Sequence, residues 1–153
     1  YIGSKQLTDT LNIDGVDIPI GKLVLSPTRT YLPVIKSILE LHRSNIHGMI
    51  HCTGGGQTKV NKFIQNKTIV KNNLFPTPPL FQLIQSESKT SWKEMYQVFN
   101  MGHRLEIYLP AEYADSIISI SNRFNIDAQI IGHVEDGKGE KVIVKSEYGQ
   151  FEY

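Results

Sequence analysis

Two stretches of the chain repeat their apolar residues at the spacing of an α-helix. The first spans residues 30–42, and Pro33 would fall in its first turn, where proline is tolerated. Its apolar face consists of Tyr31, Val34, Ile35, Ile38, Leu39 and Leu41. The second spans residues 110–124, and we expect it to bury Tyr113, Ile117, Ile118 and Ile120.

Shorter helices are indicated by local signals. Ser91-Trp92-Lys93-Glu94 is a capping-box sequence, which predicts a helix that ends near Asn100-Met101-Gly102. Val60, Phe63 and Ile64 have i, i+3, i+4 spacing and predict a short helix after a run of glycines. Another helix is expected to begin at the prolines that precede Leu80.

Strand patterns lie between these helices, at residues 49–52, 67–71, 105–109, 128–134 and 141–145. Asp136-Gly137-Lys138-Gly139 is expected to form the turn between the last two strands. Helices and strands do not alternate strictly. We therefore predict an α+β fold, a single layered domain over residues 1–153 with a mixed sheet. Residues 1–25 contain turn signals at Asp14-Gly15 and near Pro19, and form a lead-in whose structure the pattern does not predict.

Composition excludes several classes of protein. The 153 residues are 40% hydrophobic and 20% charged, which is typical of a globular domain. Sixteen basic and fifteen acidic residues give a net charge of +1, so we expect no nucleic-acid surface and interpret the scattered lysines as solvated. No apolar run reaches the roughly 20 residues of a membrane span. The single cysteine, Cys52, excludes an internal disulfide and fits a cytoplasmic location.

The strongest local signal is His51-Cys52-Thr53-Gly54-Gly55-Gly56, between a predicted strand and a predicted helix. Glycines let the backbone turn sharply and approach a ligand, and a helix N-terminus favours an anion. We therefore expect Thr53 to Gly56 to bind a phosphate or a neighbouring polar group. A tight turn without a ligand is the alternative. The Walker sequence is absent, so no P-loop is predicted.

His51 is a candidate general base or phosphate contact, because its ordinary pKa is close to neutrality. The alternative is a structural hydrogen bond at the end of the strand. The five histidines show no zinc-ligand spacing, so we expect no metal site in this domain. Cys52 is expected to be a buried core residue.

Two further segments combine turn residues with polar groups. In the first, Gly102 is a candidate left-handed helix cap, and Asn100 is a candidate cap or ligand contact. The second, residues 26–30, precedes the long helix. Thr28 or Thr30 is a candidate cap for that helix, and Arg29 is a candidate phosphate contact with a surface salt bridge as its alternative.

Taken together, the segments resemble the C-terminal domain of the phosphoribosylformylglycinamidine cyclo-ligase family. Residues 25–31 resemble its L-x-P-T-R-I-Y segment, and residues 51–56 its H-x-T-G-G-G loop. Residues 94–102 resemble its E-M-Y-x-x-F-N-x-G stretch, and residues 131–134 its I-G-x-V strand. The order and spacing agree from about residue 22 to residue 134.

The resemblance implies a layered α/β domain with partly ferredoxin-like topology, which forms one wall of an active-site cleft. It implies that a separate N-terminal domain, absent from this sequence, binds most of the ATP and Mg²⁺ and builds a homodimer. The reaction would convert formylglycinamidine ribonucleotide and ATP into aminoimidazole ribonucleotide, ADP and phosphate in purine synthesis. The site residues implied are Arg29, His51, Thr53, Gly54, Gly55, Gly56, Asn100 and Gly102, with no catalytic residue identified.

The sequence departs from the family pattern in two places. The family's Glu, Asn and Arg after the glycines are missing from residues 57–63, so we assign no role to Lys59, Asn61 or Lys62. His103-Arg104 replace the glycine and small residues that usually follow Gly102.

The sequence also allows other interpretations of the function of this domain. The same architecture occurs in formylglycinamidine synthase, selenophosphate synthetase, thiamine-monophosphate kinase and a hydrogenase-maturation protein. A non-catalytic anion-binding or scaffold module is a further alternative. Because the chain opens on Tyr1 rather than Met, we expect it to be a fragment. Because it contains no phosphate-cradling nucleotide motif, we expect it to be inactive alone.

Overall fold

The structure, a computed structural model, describes residues 3–27 and 29–153. The α-helices are α1 (Ile20–Val24), α2 (Leu32–His42), α3 (Pro79–Ser88), α4 (Trp92–Val98) and α5 (Ala114–Asn122). Shorter 3-10 helices span Arg43–Asn45, Gly56–Phe63 and Ala111–Tyr113. The strands are β1 (Thr10–Ile13), β2 (Val16–Pro19), β3 (Gly48–His51), β4 (Lys67–Lys71), β5 (Leu105–Tyr108), β6 (Gly132–Asp136), β7 (Lys141–Ser146) and β8 (Gly149–Glu152).

The largest sheet has the strand order β6-β4-β7-β8. β4 runs parallel to β7, with Ile69 opposite Val142, whereas β4–β6 and β7–β8 are antiparallel. This arrangement confirms the predicted mixed sheet in an α+β domain. Because β4 is paired on both sides with apolar residues at its centre, it forms the middle of the sheet.

The predicted turn at residues 136–139 does not make a hairpin. β6 and β7 lie on opposite sides of β4, so their connection crosses the beginning of β4. The backbone N–H of Gly137 donates to the carbonyl of Asn66, which fixes this crossing. The turn residues predicted that a turn connects β6 and β7. The two strands do not pair with each other, because the buried strand β4 lies between them.

A second, two-stranded sheet separates two apolar clusters. β3 and β5 pair antiparallel, with Ile50 opposite Glu106 and Met49 opposite Ile107. Residues opposite each other share a face. On one side, α2 and α5 pack together through Val34, Ile38, Ile117 and Ile120, with Ile107 against them. On the other side, the larger cluster reaches the four-stranded sheet and contains Ile50, Cys52, Val60, Ile69, Met95, Tyr96, Met101, Val142 and Val144.

The lead-in is an ordered part of the domain. β1 and β2 form a hairpin whose two-residue loop is Asp14-Gly15, with φ of 51° and 83°. Two positive φ angles are the signature of a type I′ turn. Ile20 is buried, and both the backbone N–H and the hydroxyl of Ser4 donate to the Glu87 carboxylate on α3. The lead-in therefore packs against the helical layer.

Several element boundaries differ from the sequence-based predictions. The helix predicted from residue 110 is interrupted, since Ala111–Tyr113 is a 3-10 turn and α5 begins at Ala114. The segment after the glycines is also a 3-10 helix, and the strand expected at 128–134 lies at Gly132–Asp136. On α2, Leu41 is exposed rather than part of the buried face. Tyr31 occupies the N-cap of α2 without a side-chain cap bond, so Thr30 does not cap it, and Thr28 lies outside the described residues.

Candidate functional site

The glycine loop, residues 52–56, leaves the end of β3 and leads into the Gly56–Phe63 helix. Gly55 and Gly56 have φ of +93° and +45°, in the left-handed region that side chains disfavour. The N–H of Gly56 donates to the carbonyl of Thr53 at 2.9 Å, and the N–H of Thr58 to that of Gly55 at 2.9 Å. These bonds close the turn that the three glycines predict.

The three glycines have different surroundings. A Cβ on Gly56 would overlap the carbonyl oxygen of Phe99 and lie 2.7 Å from that of Tyr96. A Cβ on Gly54 would meet nothing within 4 Å, and Gly54 is exposed. No described residue accepts a hydrogen bond from the N–H of Gly54 or Gly55. Gly56 therefore allows close packing against the end of α4, whereas Gly54 and Gly55 have backbone N–H groups that are free to bind a ligand.

Lys59 holds the start of the loop. Its ammonium group donates to the carbonyl of His51 at 3.0 Å and to the hydroxyl of Thr53 at 2.7 Å. The sequence analysis assigned no role to Lys59, because residues 57–63 depart from the family pattern. The contacts show that Lys59 crosses the loop and adds a positive charge beside Gly54 and Gly55.

Asn100 and Gly102 form a second turn directly after α4. The N–H of His103 donates to the carbonyl of Asn100, and Met101 and Gly102 have φ of 51° and 96°. The Asn100 Oδ1 accepts from the N–H of Gly102 at 2.9 Å. The expected left-handed cap of the helix is wrong, because α4 ends at Phe99 in an extended conformation. The positive φ at Gly102 belongs to a separate type I′ turn that Asn100 stabilises.

The glycine loop and the Asn100 turn are in direct contact. Gln57, which follows the glycines, is fully buried and donates from Nε2 to the carbonyl of Asn100 at 2.6 Å. The packing of Gly56 against Phe99 adds a second contact between the same segments. Two motifs separated by more than forty residues therefore form one surface, as a shared site requires.

A buried polar network lies beneath this surface, and the sequence analysis missed it. Lys71 is 1% exposed and forms an ion pair with Glu106, whose other oxygen accepts from the hydroxyl of Tyr108 at 2.6 Å. Lys71 also donates to the carbonyl of Gln57 at 2.7 Å and to its Oε1 at 3.1 Å. The alternation of residues along β4 could have indicated this burial. Lys71 is two residues from the buried Ile69, so both side chains point to the same face of the sheet. The interpretation of lysines as solvated surface is wrong for this residue.

Two titratable groups beside the network are held neutral. Burial, followed by the nearby Lys71 ammonium, lowers the pKa of His103 to about 4, and its Nε2 accepts from the N–H of Phe75. Burial and then the Glu106 carboxylate raise the pKa of Cys52 to about 12. The Cys52 thiol is therefore an inert core group, as expected, and His103 is an uncharged hydrogen-bond acceptor.

Arg29 and His51 are the two basic residues that line a shallow groove of about 400 Å³. The other lining residues are Thr30, Tyr31, Ile35 and Leu105. The guanidinium of Arg29 reaches the carbonyl of Asn125 at 3.5 Å, the outer limit of a hydrogen bond. No described residue bonds to the His51 ring, so the groove offers one cation and one free imidazole above an apolar floor.

The arrangement is suited to binding rather than to covalent chemistry. Free N–H groups, Lys59 and Arg29 favour an anion or a polar ligand group. Within residues 3–27 and 29–153, no cluster of three or more His, Cys, Asp or Glu side chains is placed to hold a metal ion. The helices of the same ranges are too short or too polar for a membrane span.

Comparisons with known proteins agree with the motifs. Residues 5–145 match the family described as "AIR synthase related protein, C-terminal domain". A phosphoribosylformylglycinamidine cyclo-ligase of Syntrophus aciditrophicus is 35% identical over 136 residues, which is 86% of this chain and 38% of that protein. The enzyme of the same name from Methanococcus vannielii is 34% identical over 148 residues, 90% of this chain and 41% of that protein.

Among solved structures, the Escherichia coli hydrogenase maturation protein HypE has a TM-score of 0.57 and 14% identity, covering 88% of this chain and 44% of that chain. This likeness shows a shared fold. The chain spans about two fifths of the length of the curated relatives that it matches, at the 38% and 41% given above.

Proposed function

The chain belongs to the AIR synthase-related family, as its C-terminal domain, and on this basis we propose that it is the substrate-side domain of an ATP-dependent cyclo-ligase. The proposed reaction closes the imidazole ring of aminoimidazole ribonucleotide from formylglycinamidine ribonucleotide. The support comes from relatives of that name at 34–35% identity, combined with the motifs that this chain shares with them.

One observation carries the proposal at the level of the site. The glycine loop and the Asn100 turn, which carry the two most specific motifs, touch through Gln57 and Gly56. The N–H groups of Gly54 and Gly55 have no hydrogen-bond partner among the described residues, and Gly54 is exposed. We assign these donors to a phosphate or another polar group of the substrate.

The groove beside the loop would take the remainder of the substrate. His51 lies where the two features meet, because it lines the groove and is the last residue of β3 before the loop. The guanidinium of Arg29 supplies a positive charge that suits a phosphate oxygen, and Tyr31, Ile35 and Leu105 provide apolar surface for a sugar or base edge. The ring of His51 has no hydrogen-bond partner among the described residues, so we assign it to a polar group of the substrate there.

ATP would activate the formyl oxygen for attack by an amidine nitrogen. The described residues of this chain provide neither a Walker sequence nor a carboxylate cluster for Mg²⁺. We therefore propose that a separate N-terminal domain binds ATP and Mg²⁺ and builds a homodimer in the cytoplasm. In this arrangement, the present chain orients the ribonucleotide and closes one side of the cleft.

The proposal is tested by assaying the full-length protein and the 153-residue chain in parallel. Each is incubated with ATP, Mg²⁺ and formylglycinamidine ribonucleotide, and ADP and aminoimidazole ribonucleotide are quantified. We expect stoichiometric products from the full-length protein, at about 1 per second or faster, and none from the chain alone. Absence of product from folded full-length protein, or turnover by the chain alone, would overturn the proposal.

A further inference from the structure

The ion pair between Lys71 and Glu106 lies in an unusual place for two charges. Their side chains are 1% and 4% exposed, whereas the Lys67–Asp136 pair, formed by the first residue of the same strand, is 47% and 93% exposed. Removing two charges from water is costly, and an apolar pair of similar volume is often as stable. A buried ion pair therefore need not stabilise the fold more than an apolar pair would. We look to its hydrogen bonds for another role.

The hydrogen bonds of Lys71 account for its whole donor capacity. A lysine ammonium has three N–H donors and no acceptor. In Lys71 they bind the carbonyl of Gln57, the Oε1 of Gln57 and the Glu106 carboxylate. Two of the three bonds go to one residue of the glycine-loop segment, so Lys71 fixes both the backbone and the side chain of Gln57.

Gln57 transmits this fixation to the Asn100 turn. With Oε1 held by Lys71, its Nε2 points to the carbonyl of Asn100 at 2.6 Å. The same carbonyl also accepts from the N–H of His103 and closes that turn. A continuous chain of hydrogen bonds therefore runs from Glu106 through Lys71 and Gln57 to Asn100.

The chain of bonds also includes the strand pair that ends at His51. Glu106 belongs to β5 and lies opposite Ile50, one residue before His51. Its second oxygen accepts from the hydroxyl of Tyr108 on the same strand, so the carboxylate is held at both oxygens. The hydrogen bonds of Glu106 therefore connect the β3–β5 pair to the glycine loop and the Asn100 turn.

We propose that Lys71, Glu106 and Gln57 are positioning residues that lock the glycine loop to the Asn100 turn, and that this is why the charges are buried. They touch no substrate atom and act through the backbone of the two turns. This inference concerns the conformation of the turns, and only its activity arm rests on the proposed cyclo-ligase function.

The test uses hydrogen exchange of single amides in the full-length protein. The double variant Lys71→Met/Glu106→Gln removes both charges together and keeps an acceptor for Tyr108. The reporters are the N–H groups of Gly56, Thr58, Gly102 and His103, which close the two turns. The N–H groups of Val142 and Tyr153, which bond to each other's carbonyls across β7 and the chain end, report global opening.

We expect the turn amides of the double variant to exchange about tenfold faster or more, while Val142 and Tyr153 stay within about twofold of the parent. Gln57→Met, which keeps both charges but cuts the link to Asn100, should accelerate the amides of Gly102 and His103. Lys67→Met, on the same strand, is the matched control and should leave all six amides unchanged.

Equal acceleration of every amide would show that the network only stabilises the fold, and unchanged turn amides would show that it holds nothing in place. Either result overturns the inference. In the activity arm, we expect KM of the double variant for the ribonucleotide to rise about tenfold with the unfolding midpoint close to the parent's. A parent that binds and turns over no ribonucleotide contradicts the proposed function, whereas the exchange result stands by itself.

Discussion

The two faces of the β3–β5 pair both pack against other elements, yet they are built differently. The face toward α2 and α5 is apolar, with Val34, Ile38 and Ile117 at its centre. On the opposite face, Glu106 meets the buried Lys71 and Gln57 beside an apolar cluster. The first face needs only shape and volume, whereas the second needs matched charges and hydrogen bonds. The difference indicates that the second face fixes the glycine loop and the Asn100 turn, whereas the first face packs the helices and borders the groove at His51 and Ile35.

Removing one charge from the polar face should have the largest effect on stability. Lys71→Met leaves the Glu106 carboxylate buried without its cation, and Gln57 loses two donors. We expect the free energy of unfolding to fall by about 4 kcal/mol, measured by urea denaturation at neutral pH. A second change, Glu106→Gln, should restore a large part of this loss. Little loss in the single variant would show that the charges are not held as described.

The apolar face is tested by Ile38→Ala. Ile38 is 1% exposed between α2 and α5. The substitution removes buried methyl groups and leaves a cavity, so we expect the free energy of unfolding to fall by about 3 kcal/mol. Ile38→Val should cost about 1 kcal/mol. In contrast to Lys71→Met, no second-site change of charge should rescue Ile38→Ala, and the exchange of the turn amides should follow global stability alone.

The polar face should also give the domain a pH dependence through His103. Its pKa is lowered to about 4 in the folded state, from an ordinary value of 6.5. The unfolded chain therefore binds more protons between these values, and the stabilising effect, fully present above pH 6.5, is lost as the pH falls toward 4. The loss between pH 6.5 and pH 5 should be about 2 kcal/mol.

Urea titrations at several pH values measure this effect, with His103→Gln as the comparison. The variant should show a shallower decline over the same range, because its side chain does not titrate. A parent and a variant with the same pH dependence would assign the decline to other groups.

The sequence predicted the elements with apolar faces more completely than the buried polar network. β3, β4 and α2 were predicted nearly to the residue, because apolar periodicity directly reports a face that is buried against apolar neighbours. The turn of the glycine loop and the positive φ of Gly102 were also predicted, since positive φ angles favour glycine, but residues 100–102 were wrongly interpreted as the cap of α4.

The polar network could not be predicted in the same way. Glu106 alternates with apolar residues in β5, and this pattern normally indicates a solvent face. Its partners Lys71 and Gln57 come from separate segments, so their pairing depends on the packing of β4, β5 and the 3-10 helix against each other. The ordered lead-in was missed for a related reason, because Ile20 is buried by contacts with elements much later in the chain.

If the glycine loop faces the substrate, a side chain at Gly54 should impair catalysis without destabilising the domain, and Gly54→Val measures both effects. The structure leaves room for a side chain at Gly54, so stability should not change, whereas a ligand that approaches the backbone would be displaced. Gly48→Val in β3 is the matched control, since a side chain there also meets nothing within 4 Å.

In the full-length protein, kcat/KM for formylglycinamidine ribonucleotide and the unfolding midpoint are measured on the same preparations. We predict that Gly54→Val lowers kcat/KM about tenfold, or ~1.4 kcal/mol, at an unchanged midpoint, and that Gly48→Val changes neither quantity. Parental kcat/KM in a folded Gly54→Val protein would contradict the account, and the loop would then be a turn without a ligand.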